Sequence, residues 1–112
     1  MGTIFQLTPS GESWTFSVIH DFDYGYMPRN LAIDTAGNLY GIAVDILYKL
    51  APTGGSWTYT LLHVFGGFAG ERASGRLSFD PQGNLWGTTW SGGIGDCYDG
   101  QGCGVIYMYG LQ

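Results

Sequence analysis

The chain repeats itself. Ile4-Phe5-Gln6-Leu7-Thr8-Pro9 returns 43 positions later as Leu47-Tyr48-Lys49-Leu50-Ala51-Pro52. The same shift aligns Trp14-Thr15-Phe16 with Trp57-Thr58-Tyr59, His20 with His63 and Phe22 with Phe65. A second block recurs at a shift of 46: Leu31-Ala32-Ile33-Asp34 with Leu77-Ser78-Phe79-Asp80, and Gly37-Asn38-Leu39-Tyr40-Gly41 with Gly83-Asn84-Leu85-Trp86-Gly87. After a longer insertion, Val105-Ile106-Tyr107 restarts the first block. The signal rests on many ordered matches and not on one motif. It divides a single domain of 112 residues into repeat one (about 2–44), repeat two (about 45–103) and the start of a third (104–109).

A period of about 45 residues holds four short strands and their turns, the size of one propeller blade. Alternation and turn punctuation predict strands at 4–7, 14–22, 31–34, 39–43, 46–50, 57–65, 77–80, 85–90 and 105–109. Asp34-Thr35-Ala36-Gly37-Asn38 and Asp80-Pro81-Gln82-Gly83-Asn84 read as hairpin loops. In each, the Asp side chain accepts from turn N–H groups and Gly supplies the positive φ. Twenty glycines, 16% aromatics and only 12% charged residues fit short strands and tight turns. No useful stretch has a helical period. The expected class is all-β.

The opening Gly2-Thr3-Ile4-Phe5-Gln6-Leu7-Thr8-Pro9-Ser10-Gly11, the Trp14 strand ending in His20-Asp21-Phe22, and Gly37-Asn38-Leu39-Tyr40-Gly41 resemble the GloVer repeats, a family of bacterial tandem-repeat, surface-anchored proteins. The most specific stretch is Gly83-Asn84-Leu85-Trp86-Gly87-Thr88-Thr89, then Gly92-Gly93 and Cys103-Gly104-Val105-Ile106-Tyr107. The resemblance covers nearly the whole chain and implies an extracellular, propeller-like β architecture without a defined activity. The related NHL-type pattern makes the strand before each Asp hairpin innermost. With strands lettered A to D outward, the chain reads C-D, A-B-C-D, A-B-C.

Nine strands are just over two blades, whereas closed propellers typically have about four to eight. Two open ends predict completion by homo-oligomerisation, with three chains and six blades favoured and two or four chains as alternatives. The rival readings are a piece of a longer array or a β-sandwich.

The formal charge of −5, with four scattered bases (Arg29, Lys49, Arg72, Arg76), disfavours nucleic acid. No stretch approaches the roughly 18 apolar residues of a membrane helix. The N-terminus has no basic segment leading into an apolar one, so no signal peptide is expected in this chain. Cys97 and Cys103 lie in a glycine-rich loop. The favoured reading is a small disulfide, which implies an oxidising compartment, extracellular or at the cell surface; two free thiols or half of a metal site are the alternatives.

Loops that differ between repeats are where binding is expected. Strand phase collects 23–29, 66–75 and 91–104 at one end of the sheets. Tyr24, Tyr26, Phe68 and Tyr98 fall there, Trp90 stands at the start of the long loop, and Asp96, Asp99 and Arg72 lie among them. Aromatic faces beside carboxylates suit sugar rings, so the leading expectation is a carbohydrate-binding module, and loop packing is the plain alternative. A structural or interaction repeat without a small ligand is the rival. A third reading is a hydrolase or lyase using the ring centre, with His20, His63, Asp21 or Glu71 converging. Trp14/Trp57 and His20/His63 are repeat-equivalent pairs, which favours packing over chemistry. No catalytic constellation, cofactor or metal set is expected.

Overall fold

The computed structural model describes residues 2–23, 25–66, 70–97 and 100–110; the side chains of Glu71, Arg72 and Ser74 lie outside that description. Nine strands follow one another: β1 (Thr3–Ser10), β2 (Ser13–Asp21), β3 (Pro28–Ile33), β4 (Leu39–Ala43), β5 (Ile46–Thr53), β6 (Ser56–Val64), β7 (Glu71–Phe79), β8 (Leu85–Ser91) and β9 (Ile106–Tyr109). They form three antiparallel sheets, β1-β2, β3-β4-β5-β6 and β7-β8-β9, with every neighbour adjacent in sequence. The described residues include no helix. The split into two, four and three strands follows the C-D, A-B-C-D, A-B-C reading of the repeat. The sheets of the described residues close neither a barrel nor a propeller.

Turn chemistry sets the strand ends. Ser10 pairs with Ser13 across Gly11-Glu12, and Thr53 with Ser56 across Gly54-Gly55. The segments expected as loops at 8–13 and 51–56 are therefore two-residue turns, and the strands run on to meet them. Gly54 and Gly55 hold φ of 57° and 88°, which such turns demand. The turn joining β4 to β5 is Val44-Asp45, and Val44 sits at φ 57°, an unfavourable place for a β-branched residue. Asp34 Oδ1 accepts from the N–H groups of Ala36 and Asn38, both at 2.9 Å. Asp80 Oδ1 does the same with Gln82 and Asn84, again at 2.9 Å. Two other loops are shorter than expected. β3 begins at Pro28, and β7 begins at Glu71 with an irregularity between Ser74 and Ser78 that the positive φ of Gly75 accommodates.

The middle sheet is covered on both sides, which explains its run of apolar residues without clean alternation. Ala43, Ile46, Tyr48 and Leu50 pack with Ile4 of β1 and with Phe22, the residue after β2. Tyr40, Ile42 and Leu47 point the other way, and pack with Phe65, Ala73 and Leu85. Sequence neighbours thus divide between two cores, as strand geometry requires. The recurrent Gly after Leu-Tyr or Leu-Trp has a cross-strand cause. Gly41 lies opposite Tyr48 and Gly87 opposite Tyr107. A Cβ on either glycine would fall 2.3 Å from the tyrosine Oη. Each tyrosine ring lies over a bare backbone.

Candidate interaction faces

The repeat lets each exposed position be compared with a covered counterpart. Phe5 of β1 is 56% exposed, while its equivalent Tyr48 is wholly buried under the first sheet. Leu7 is half exposed and its equivalent Leu50 is buried. Trp14 and Phe16 of β2 are open, whereas Trp57 packs against the first core and Tyr59 is covered further than Phe16. Val18 and Leu61 are equally open, at positions the neighbouring sheet does not reach. One face of the β1-β2 hairpin is thus made of residue types that the next copy of the repeat buries.

The third sheet shows the converse. Ile106 of β9 is 77% exposed, against none of its equivalent Leu47. Trp86 is far more open than its equivalent Tyr40, and Met108 is half exposed. Trp90 alternates with Trp86 on the outer side of β8. These apolar surfaces are of the kind that marks an interaction site. They differ in sequence, so the chain has two unlike ends.

Rings make the covered interfaces specific. His20 stacks on Tyr59 at 4.7 Å with the planes 7° apart, and meets the edge of Phe22 at 4.7 Å. Phe22 in turn meets Tyr48 at 5.0 Å. Across the second interface, His63 meets Phe65 at 4.8 Å, and Phe65 meets Tyr107 at 4.8 Å. Tyr109 Oη donates to the Leu62 carbonyl at 3.2 Å, and the Asn30 amide to that of Gly75. Both histidines are interface rings. No shared histidine–acid pair is seen among the described residues.

A groove of about 470 Å³ lies between the two Asp hairpins, bounded by Asp34, Tyr40, Lys49, Phe79 and Asp80. Its carboxylates are already engaged. Asp34 Oδ2 accepts from the Asn38 amide and the Tyr40 hydroxyl, and Asp80 Oδ2 from the Asn84 amide and Trp86 Nε1. Desolvation opposes ionisation of Asp34, but the hydrogen bonds of Asn38, Tyr40 and Ala36 outweigh it, so its pKa falls below the ordinary value. Asp80 is also lowered, first by Trp86 and further by Asn84 and Gln82, against some desolvation. Burial and the Asp34 charge push Tyr40 up to about 12, and burial alone pushes Tyr107 to about 12. Burial raises Tyr48 as well. These acids organise turns and leave little for proton transfer. Among the described residues, no group of three or more His, Cys, Asp or Glu is placed to hold a metal.

Of the sequence-predicted binding residues, Tyr26, Trp90 and Asp96 lie wholly within the described residues. Tyr24, Phe68, Tyr98 and Asp99 lie outside the described residues, as does the side chain of Arg72. Tyr26 is exposed in the β2–β3 loop, 6.4 Å from Phe22. Trp90 lies on β8, within the strand expected at 85–90, one residue before β8 ends. Asp96 is exposed beside the Cys97–Cys103 disulfide, which is formed. That loop is tied back by Gly92 N–H to the Gln101 carbonyl at 2.7 Å and by Gly104 N–H to the Gly92 carbonyl at 3.1 Å. No family model, curated protein or solved structure matches the chain. No helix among the described residues is long and apolar enough to cross a membrane. What sequence reasoning missed is the bare face of Phe5, Leu7, Trp14 and Phe16. The signal was present: each aligns with a residue of the middle repeat, Tyr48, Leu50, Trp57 or Tyr59, that is more covered than it is.

Proposed function

We propose that the chain is an interaction module made of β-propeller-type repeats, which works by docking further sheets of its own kind and completes a propeller with copies of itself. The exposure of Phe5 set against the burial of its equivalent Tyr48 carries this reading. A surface that one copy of the repeat covers and another leaves open is matched in chemistry to a sheet of the same repeat. Two unlike ends favour head-to-tail contacts, which form a ring when the rotation per copy closes. Three chains and six blades are the favoured ring. The disulfide is compatible with an extracellular or cell-surface setting.

Light scattering after size exclusion tests this directly. A mass of two, three or four chains is expected, lost in the double substitution Phe5→Ser/Phe16→Ser. A wild-type protein that stays monomeric at millimolar concentration would falsify the reading. Carbohydrate binding is a second reading, supported by the exposed Tyr26 and Asp96 on loops that differ between repeats. A glycan array probed with the assembled protein decides it, and absence of any signal removes it.

A further inference from the structure

Among the described residues the third sheet carries no strand beyond its C strand, β9, whereas the middle sheet carries β6 along the whole of its C strand, β5. Beside β9 runs a groove of about 390 Å³, lined by Leu47, His63, Phe65 and residues 105–109. The first interface shows what fills the matching place there. Tyr59, from the D strand of the middle sheet, stacks on His20. Among the described residues, no ring of the third sheet is stacked on His63.

The ring that would fit is already built on this chain. Tyr48 and Tyr59, which cover Phe22 and His20, stand 5.9 Å apart with planes at 24°. Their equivalents Phe5 and Phe16 stand 5.5 Å apart with planes at 26°, on the bare face of the β1-β2 hairpin. The hairpin therefore presents, preformed, the ring pair that the Phe65–His63 face lacks in full. Tyr107 now supplies only the first member, against Phe65.

We infer that the β1-β2 hairpin of a second copy completes the third sheet, taking the place of β9. This deepens the proposed function and rests on it. β1 and β9 carry the same repeat segment, Ile4-Phe5-Gln6-Leu7 and Ile106-Tyr107-Met108-Tyr109. They therefore compete for one edge of β8. β9 holds that edge with four pairs, Leu85↔Tyr109 to Thr88↔Ile106. The incoming strand places Phe5 opposite Gly87 and Gln6 opposite Trp86, by the register of Gly41↔Tyr48 and Tyr40↔Lys49. It also brings β2 as the fourth strand, and sets Phe16 on His63. Phe5 removes a further defect: the buried Tyr107 hydroxyl has no hydrogen-bond partner among the described residues, and phenylalanine needs none. Each chain then contributes two whole sheets of four, and the exchanged hairpin is the joint.

Two measurements test the exchange. The first is disulfide trapping in full-length protein carrying Gln6→Cys and Trp86→Cys. A cross-link between copies is expected, because the two positions face each other across one ladder. Trapping through Phe5→Cys with Trp86→Cys instead means that sheets stack face to face without exchange, which overturns this inference and leaves self-association standing. The second is truncation after Val105, which removes the competing strand and keeps the Thr89–Val105 hydrogen bonds. Association at least tenfold tighter is expected. A truncated chain that associates more weakly than wild type overturns the exchange. A full-length chain that never associates overturns both the exchange and the proposed function.

Discussion

Gly41→Ala is the sharpest test of the packing described above. The new methyl would lie 2.3 Å from Tyr48 Oη, 2.5 Å from its Cζ and 3.1 Å from Leu31 Cδ2. Tyr48 cannot yield cheaply. It is fully buried, with Phe22 at 5.0 Å and Tyr59 at 5.9 Å. Overfilling a packed site costs about 1–3 kcal/mol, and this site belongs at the upper end. Alanine's advantage over glycine in strand backbone returns about 0.5–1 kcal/mol. The expected net loss is about 2 kcal/mol, roughly 8 °C in Tm at this chain length. Urea titration followed by far-UV circular dichroism gives the difference from the midpoint at constant slope. The double-mutant cycle with Tyr48→Leu isolates the cause: in that background Gly41→Ala should cost nothing or stabilise slightly. A neutral Gly41→Ala in the wild-type chain, or an equal cost in both backgrounds, refutes the reasoning. Gly87→Ala against Tyr107 should behave in the same way.

Val44→Gly should stabilise the chain by about 1 kcal/mol, because glycine adopts the positive φ that valine adopts under strain; a thermal melt that falls instead would exclude a strained turn. The lowered carboxyls of Asp34 and Asp80 contribute stability that is complete above the unfolded value of about 4 and is lost as pH falls through their lower folded values. Asp34→Asn should therefore lower stability at neutral pH and flatten its fall below about 4, so that the two chains converge in acid; urea midpoints measured across this pH range check it, and parallel curves would exclude the linkage. Reduction of Cys97–Cys103, six positions apart, should lower stability by about 2 kcal/mol on chain-entropy grounds, read by denaturant titration with and without reductant. An unchanged midpoint would mean that the hydrogen bonds of the loop hold it alone.

The nine strands were legible in the sequence because their ends carry punctuation: Asp with Gly-Asn at the hairpins, and Gly at the two-residue turns. The division into two, four and three strands was legible through the repeat, which orders strands that alternation alone leaves interchangeable. Local pattern failed where pairing decided the ends. Pro28 reads as a loop residue, yet it lies on β3 opposite Ala43. Glu71 to Gly75 read as polar and glycine-rich, yet Glu71 to Ser74 pair with the far end of β8, ahead of an irregular register. The bulge opposite Leu47 and Tyr48 leaves Leu62 as the extra residue and turns it and its neighbour His63 to the same side, toward the second core, which no period-two reading contains. The sequence reads Trp90 as the last residue of the strand at 85–90, at the start of the long loop; β8 runs one residue further, to Ser91. The bare face of the hairpin was written in the repeat and needed only the question of what covers each copy.

Among the described residues the middle sheet is the one flanked on both sides, and each interface joins sheets that are consecutive along the chain. Unfolding in such an arrangement has a direction. Removing the β1-β2 hairpin or the third sheet breaks one interface, while opening the middle sheet breaks both. Amide protons of β4 and β5 are then the last to exchange, and a protease finds its first cuts among the outer strands. Whatever docks on an end slows fraying there first, so the exchange rates of the hairpin amides are a local gauge of occupancy.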